Sequence, residues 1–234
     1  AGVVLAAETE IMERGQSEAL VPMVEGVMAA AGLRYADLDL VAVTIGPGAF
    51  TGLRVGLAAA RGIALAAGIP AIGATTFEVL AAMVPKNERD GAAAIVAAVE
   101  SKRDDLYFQV FDAGPSHDSD PAPAALAAPM AGLPADIAAA VGGALGPPSA
   151  DQPASARRGI VLVGDATARA AASLGAAFAV RISAAGRHPD PATLAAVAVA
   201  RLTAPGAKGV SPPRPLYLRP PDAVVPRAGG RLRP

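Results

Sequence analysis

Cysteine and tryptophan are absent from the chain's 234 residues, and histidine occurs twice, at His117 and His188. Without cysteine there can be no thiol nucleophile, disulfide or thiolate metal site, which fits a reducing compartment; a cytoplasmic location is expected. The two histidines lie far apart and outside any HExxH pattern, so a zinc-protease reading has no support. Positive charge is not in excess either. A net charge of -1 leaves no basic footprint, so any nucleic acid would have to be held by a partner. No uninterrupted apolar run reaches the ~18 residues of a membrane span, and no basic segment precedes an apolar one at Ala1, so neither a span nor a secretory signal is expected. What is abundant is apolar side chain. At 53% hydrophobic, the chain can build one large core or two small ones.

The most informative stretch runs from Val41 to Gly56. Val41-Ala42-Val43-Thr44-Ile45 is a β-branched apolar run that reads as a buried strand, Gly46-Pro47-Gly48 breaks it, and Phe50 to Ala67 has helical composition. Strand, tight turn and helix place the helix's first free N–H groups above a sheet edge, where they could hold an anion or a partner's carboxylate. Gly46, Gly48 and Thr51 are the candidates for such a turn. A Walker loop starting at Gly46 needs Gly at position 51 and Lys at position 52, but Thr51 and Gly52 stand there. A dinucleotide fingerprint fails at Thr51 too. Along the helix, Gly52, Gly56, Ala60 and Ala64 make a stripe with little side-chain bulk, suited to close approach by another helix or strand.

The rest of the chain reads as alternating strands and helices. Val3 to Ala7 is expected to be a strand. Ser17 to Gly32 is expected to be a helix closed by Gly32, with Pro22 starting it or bending its first turns. That helix carries Leu20, Val24, Val27, Met28 and Ala31 on one side, with Met23 and Ala30 off that side. Being apolar more than halfway round, it suits a partner as well as its own sheet. Arg54 and Arg61 share a face and are expected to be solvated or ion-paired. Ala71 to Thr75 reads as a strand, and Phe77 to Val84 as a helix capped by Thr75 or Thr76. Pro85 to Gly91 is a charged linker between an N-terminal lobe (1–85) and a C-terminal lobe (86–221).

In the second lobe, Ala92 to Val99 and Leu106 to Phe111 are expected strands around a charged turn, Lys102 to Asp105, which is read as a solvated hairpin. Residues 113–158 are rich in Ala, Pro, Gly, Ser and Asp, and read as a low-complexity insertion with at most one weak helix near Asp136 to Val141. Ile160 to Val163 is a strand leading to Gly164-Asp165, a pair that can bind a ribose or metal but usually caps the next helix. Ala166 to Leu174, Ala177 to Ile182 and Pro191 to Leu202 follow as helix, strand and helix. The chain after Pro205 should lie extended, anchored by Leu216, Tyr217 and Leu218, and 222–234 reads as a tail.

The string Gly46 to Gly56, continuing to Gly68-Ile69-Pro70, resembles the signature of the TsaB family of bacterial tRNA threonylcarbamoyladenosine (t6A) biosynthesis proteins, the YeaZ or glycoprotease-like group. Further matches are Gln16 to Pro22, Glu100 to Tyr107 and Pro215 to Arg219. The resemblance implies an α/β chain of the actin-like ATPase superfamily, built of two ribonuclease H-like lobes. It also implies a non-catalytic subunit that binds the catalytic subunit TsaD through its first two helices and works with the ATPase TsaE; tRNA would be met only in the complex. Carried over by motif, the partner interface is Leu20, Met23, Val24, Val27, Phe50, Gly52, Arg54, Val55, Gly56 and Ala60. No cofactor or metal of its own is implied, although ATP or ADP and Mg²⁺ could enter the complex with the partners. Family members begin with a strand bearing an Asp-Thr pair and a hairpin strand, which this sequence lacks, so the first lobe is expected to be N-terminally truncated. Two other classes compete. An active kinase of the same superfamily would need carboxylates at both phosphate turns, where Asp165 is the one candidate, and a homodimer would use the same two helices on a second copy.

Overall fold

The computed structural model describes residues 2–12, 14–114, 122–147, 157–175, 177–204 and 212–219. The tail 222–234, the chain from Pro205 to 211, and 115–121 and 148–156 of the insertion lie outside them, as does His117. The elements in order are α1 (Gln16–Ala31), a 3-10 turn (Tyr35–Asp37), β1 (Val41–Thr44), α2 (Phe50–Ala67), β2 (Ala71–Ala74), α3 (Thr76–Met83) and α4 (Lys86–Arg89). They continue as β3 (Ala92–Glu100), β4 (Leu106–Asp112), β5 (Met130–Gly132), α5 (Pro134–Leu145), β6 (Gly159–Val163), α6 (Thr167–Leu174), β7 (Ala179–Ile182) and α7 (Pro191–Thr203).

Two open sheets result, and the fold is mixed α/β as expected. The small one pairs β1 with β2 in parallel; the large one has the order β5-β4-β3-β6-β7. In the large sheet β3, β4 and β5 run antiparallel, while β6 is parallel to both β3 and β7. β3 is the centre because every residue from Ala92 to Val99 is apolar. Ala94, Val96 and Ala98 point into one core with Phe108, Ile137, Val141, Ile160 and Leu162, and Ile95, Ala97 and Val99 point into another with Phe77, Leu80, Phe111 and Val161. The period of two assigns alternate residues to opposite faces, and each face has its own helices.

The small sheet is held more lightly. Its cluster contains three buried residues, Val43, Leu57 and Ala60. α7 lies across both of its strands, and Arg201 on α7 donates to the carbonyl of Gly73 at 2.6 Å while pairing with Glu78. Glu78 also accepts the N–H of Thr75 at 2.6 Å, while the Thr75 hydroxyl accepts from Glu78's amide at 3.0 Å. That closes the expected cap.

Four expectations are corrected or narrowed. Val3 to Ala7 forms no strand, and Val3, Val4 and Leu5 are exposed; among the described residues no strand pairs with it, and an apolar run without a neighbour has no ladder to join. Of the two roles considered for Pro22, starting the helix is excluded, because α1 begins at Gln16 and Pro22 lies inside it. β7 begins at Ala179 because the amides of Ala177 and Phe178 both turn back to the carbonyl of Leu174. The insertion contributes an edge strand, β5, and a 12-residue helix, α5, that buries Ile137 and Val141.

The charged linker contains α4, which fastens the end of α3 to the large sheet. The guanidinium of Arg89, itself buried, donates to the carbonyls of Val84 at 2.8 Å, Ala81 at 3.0 Å and Ala82 at 3.1 Å. It thereby closes the C-terminal end of α3 with a positive charge. Burial lowers its pKa, yet it remains a cation. Glu88 next to it accepts the Ser183 hydroxyl and the Ala184 amide at 3.0 Å. Replacing Arg89 with Met keeps the bulk but removes three hydrogen bonds, two of them buried, so a loss of about 2 to 4 kcal/mol in urea unfolding is expected.

Candidate protein-interaction site

The turn after β1 is fixed from three sides. The amide of Ile45 donates to Ala74 at 2.8 Å, the amide of Thr76 donates to the carbonyl of Gly46 at 2.8 Å, and the Thr76 hydroxyl donates to that of Pro47 at 2.7 Å. Gly46 and Pro47, joined by a cis peptide, are consequently buried, whereas Gly48, Ala49, Phe50 and Thr51 are exposed. No side chain caps the first turn of α2. Of the three residues suggested for an anion turn, Gly48 and Thr51 face solvent and Gly46 does not.

α2 then lies on the small sheet. Leu57, Ala60 and Ala64 are its buried residues, and a Cβ on Gly56 would stand 4.0 Å from Cγ2 of Val43. The small-residue stripe thus lets α2 approach this chain's own β1. Ala60 belongs to that core. Gly52, Val55 and Gly56 are half-buried, and Phe50 and Arg54 are exposed. Among the described helices, α2 alone is long and apolar enough to cross a bilayer by length and composition; it carries Arg54 and Arg61 and seats its three buried residues on β1 and its surroundings.

α1 packs along α2 and has no buried residue at all in 16. Leu20, Met23, Val24 and Val27 are half-buried, Val21 is 53% exposed, and Gly32 closes the helix with its amide on Met28 and Ala29. An apolar helix without one fully covered side chain is a surface waiting for cover. Val21 escaped the sequence reading because it lies between the two helical rows considered.

At the exposed end of α2 three side chains meet. The Arg54 guanidinium lies 3.6 Å from the Phe50 ring centroid, its Nε donates to the Tyr217 hydroxyl at 2.9 Å, and the Phe50 and Tyr217 rings stand 5.7 Å apart at 34°. Cation–π stacking and a charge-assisted hydrogen bond hold the group together. Arg54 and Arg61 are exposed, as expected, and both also hold the C-terminal segment, Arg61 through the carbonyl of Pro213 at 3.1 Å. Nothing in the local sequence marked a partner more than 150 residues away.

The second turn under consideration, Gly164-Asp165, is structural on its inner side. One Asp165 carboxylate oxygen accepts the amide of Glu100 at 2.8 Å, closing the end of β3. Among the described residues no three ligating side chains gather into a metal-binding group.

A family model described as "TsaD: tRNA N6-adenosine threonylcarbamoyltransferase" matches residues 8–224. The chain belongs to this family. Within the TsaD family, the TsaB resemblance is borne out by the tRNA threonylcarbamoyladenosine biosynthesis protein TsaB of Escherichia coli, 31% identical over 102 residues, which are 44% of this chain and 43% of that protein. A tRNA N6-adenosine threonylcarbamoyltransferase of Erythrobacter litoralis is 51% identical over 69 residues, 30% of this chain and 20% of that enzyme. The chain thus spans less than half the length of these curated relatives. The fold is shared more widely. YeaZ from Pseudomonas aeruginosa superposes with a TM-score of 0.63 at 20% identity, covering 89% of this chain and 87% of that one.

Proposed function

We propose that this chain is a non-catalytic subunit of the t6A-forming complex, binding and activating a catalytic TsaD through α1 and α2. The observation that carries this reading is α1, sixteen residues without a buried side chain, lying beside α2 with its exposed Phe50. The partner-facing set is Leu20, Met23, Val24, Val27, Phe50, Gly52, Arg54, Val55 and Gly56, with Val21 added and Ala60 left to this chain's own core. On this reading the two sheets are the two ribonuclease H-like lobes of the actin-like superfamily, divided near residue 85. The ATPase TsaE would join as a third member, bringing ATP or ADP and Mg²⁺, and tRNA would be held by the complex, in keeping with a net charge of -1. A cytoplasmic site of action follows from that role.

The kinase reading is less favoured because Asp165, its candidate Mg²⁺ ligand, already closes β3. Mg²⁺-dependent ATP turnover by this chain alone, lost on Asp165→Ala, would restore it. A homodimer through the same helices is the arrangement to expect where TsaD is missing.

The direct test is calorimetric titration of this chain with TsaD from the same source. Val21→Arg puts a charge in the centre of the exposed α1 surface without touching the core, and a loss of at least about tenfold in affinity is expected, with unchanged circular dichroism. A folded variant that binds as well as the parent would remove α1 from the interface.

A further inference from the structure

Two sequence motifs have no part in the α1–α2 contact: Glu100 to Tyr107, and Pro215 to Arg219. In the structure they meet each other. Residues 212–219 have no secondary structure of their own, yet five attachments fix them. Pro213 is buried, and Arg61 of α2 donates to its carbonyl. A Cβ on Gly73 would lie 3.0 Å from Cβ of Pro213 and 2.5 Å from Cγ2 of Ile45, so only glycine lets the segment lie this close to β2. The amide of Leu216 donates to the carbonyl of Ile45 at 2.7 Å, just where β1 ends. Leu218 packs against the core under α3. Finally, Arg219 forms an ion pair with Asp105 and sits 5.5 Å over the ring of Tyr107, while the same Asp105 carboxylate accepts the Ser101 hydroxyl at 2.7 Å.

Both side chains of that ion pair are largely covered, at 23% and 17% exposure. Such a pair is better specified than a surface bridge, because each charge has few alternatives. The β3–β4 turn, whose Lys102, Arg103 and Asp104 are exposed as expected, supplies at Asp105 the socket for the C-terminal segment. Between the anchors Leu216 and Arg219 lie two residues, and the first of them, Tyr217, holds Arg54 over Phe50.

We infer that Pro212–Arg219 is a clasp through which the large sheet fixes the shape of the α2 face, with Tyr217 and Arg219 as positioning residues for the partner contact. The inference rests on the reading of α1 and α2 as the partner-binding surface. Physically, a docking surface whose aromatic and arginine side chains are already immobilised loses less entropy on binding than one that must order them. Releasing the clasp at Arg219 frees Arg54 and Phe50 without altering either, and affinity for the partner falls.

The test uses the full chain, TsaD from the same source, and two readouts. In titrations run well below the melting temperature, Arg219→Ala and Tyr217→Phe are each expected to weaken TsaD binding on the order of tenfold. Asp105→Arg combined with Arg219→Asp is expected to recover most of the loss. In nitrogen-15 spectra of the free chain, the Arg54 Nε–H resonance should move in Tyr217→Phe and broaden in Arg219→Ala, an effect that a general loss of stability would not confine to one side chain. If the parent binds TsaD and Val21→Arg destroys binding while Arg219→Ala and Tyr217→Phe bind like the parent, the clasp is overturned and the interface stands. If the parent does not bind TsaD at all, both fall. An unperturbed Arg54 resonance in both variants also overturns the clasp, whatever the affinities.

Discussion

Gly164→Ala is expected to abolish folding. Gly164 holds φ at 111°, and a Cβ there would lie 2.1 Å from the carbonyl oxygen and 3.1 Å from the carbonyl carbon of Ala98. Both belong to the backbone of β3, the strand around which the large sheet is built, so neither can swing aside as a flexible side chain could. The methyl group also forces L-residue geometry onto a left-handed backbone, costing of order 1 to 3 kcal/mol by itself. Relief by shifting the turn would break the bond from the Glu100 amide to Asp165 and the one from Ala166 to Ala98. Together these exceed about 4 kcal/mol, a large part of an ordinary domain's stability. Insoluble expression, or a urea midpoint near zero, is the expected result; a soluble variant melting within two degrees of the parent would contradict it.

Phe77→Ala should be the most damaging truncation in α3. Five of the eight residues of that helix are buried, and Phe77, fully covered, fills the space between α3 and the face of β3 that carries Ile95 and Ala97. Removing the ring leaves a cavity walled by strand backbone on one side and by Leu80 and Phe111 on the other, with little freedom to collapse. A cost of about 3 to 5 kcal/mol follows. For a chain of this size that corresponds to a melting temperature lowered by roughly 10 °C, measurable by calorimetry. Because Leu218 packs on the same cluster, the loss should also loosen the C-terminal segment.

Where local chemistry decided structure, the sequence was legible. The positions of α2, β1, β2, β6 and α7 follow from β-branched runs, glycine and proline punctuation, and caps such as Thr75 and Asp190, whose carboxylate accepts the amide of Thr193 at 2.7 Å. Where structure depends on distant neighbours, the reading fell short. Val3 to Ala7 has strand composition but no strand beside it. β5 was hidden because three residues in an alanine- and proline-rich stretch become a strand only when β4 offers an edge. The residues proposed for the interface illustrate the same limit. Helical spacing grouped Gly52, Gly56, Ala60 and Ala64 correctly, but spacing cannot say which face meets the sheet, and Ala60 turned out to face inward. The cluster of Phe50, Arg54 and Tyr217 joins residues from opposite ends of the sequence.

A helix that contributes no buried residue to its own core owes little of its order to the rest of the chain. α1 contains seven alanine or valine residues but also Pro22 and Gly26, and isolated helices of about this length are marginal in water. Its local opening should therefore cost far less free energy than unfolding of the large sheet. Any partner that covers α1 must first stop it from fraying, so part of the contact energy goes into conformational restraint and never appears as affinity. A modest dissociation constant for such a complex would then be compatible with an extensive and specific contact.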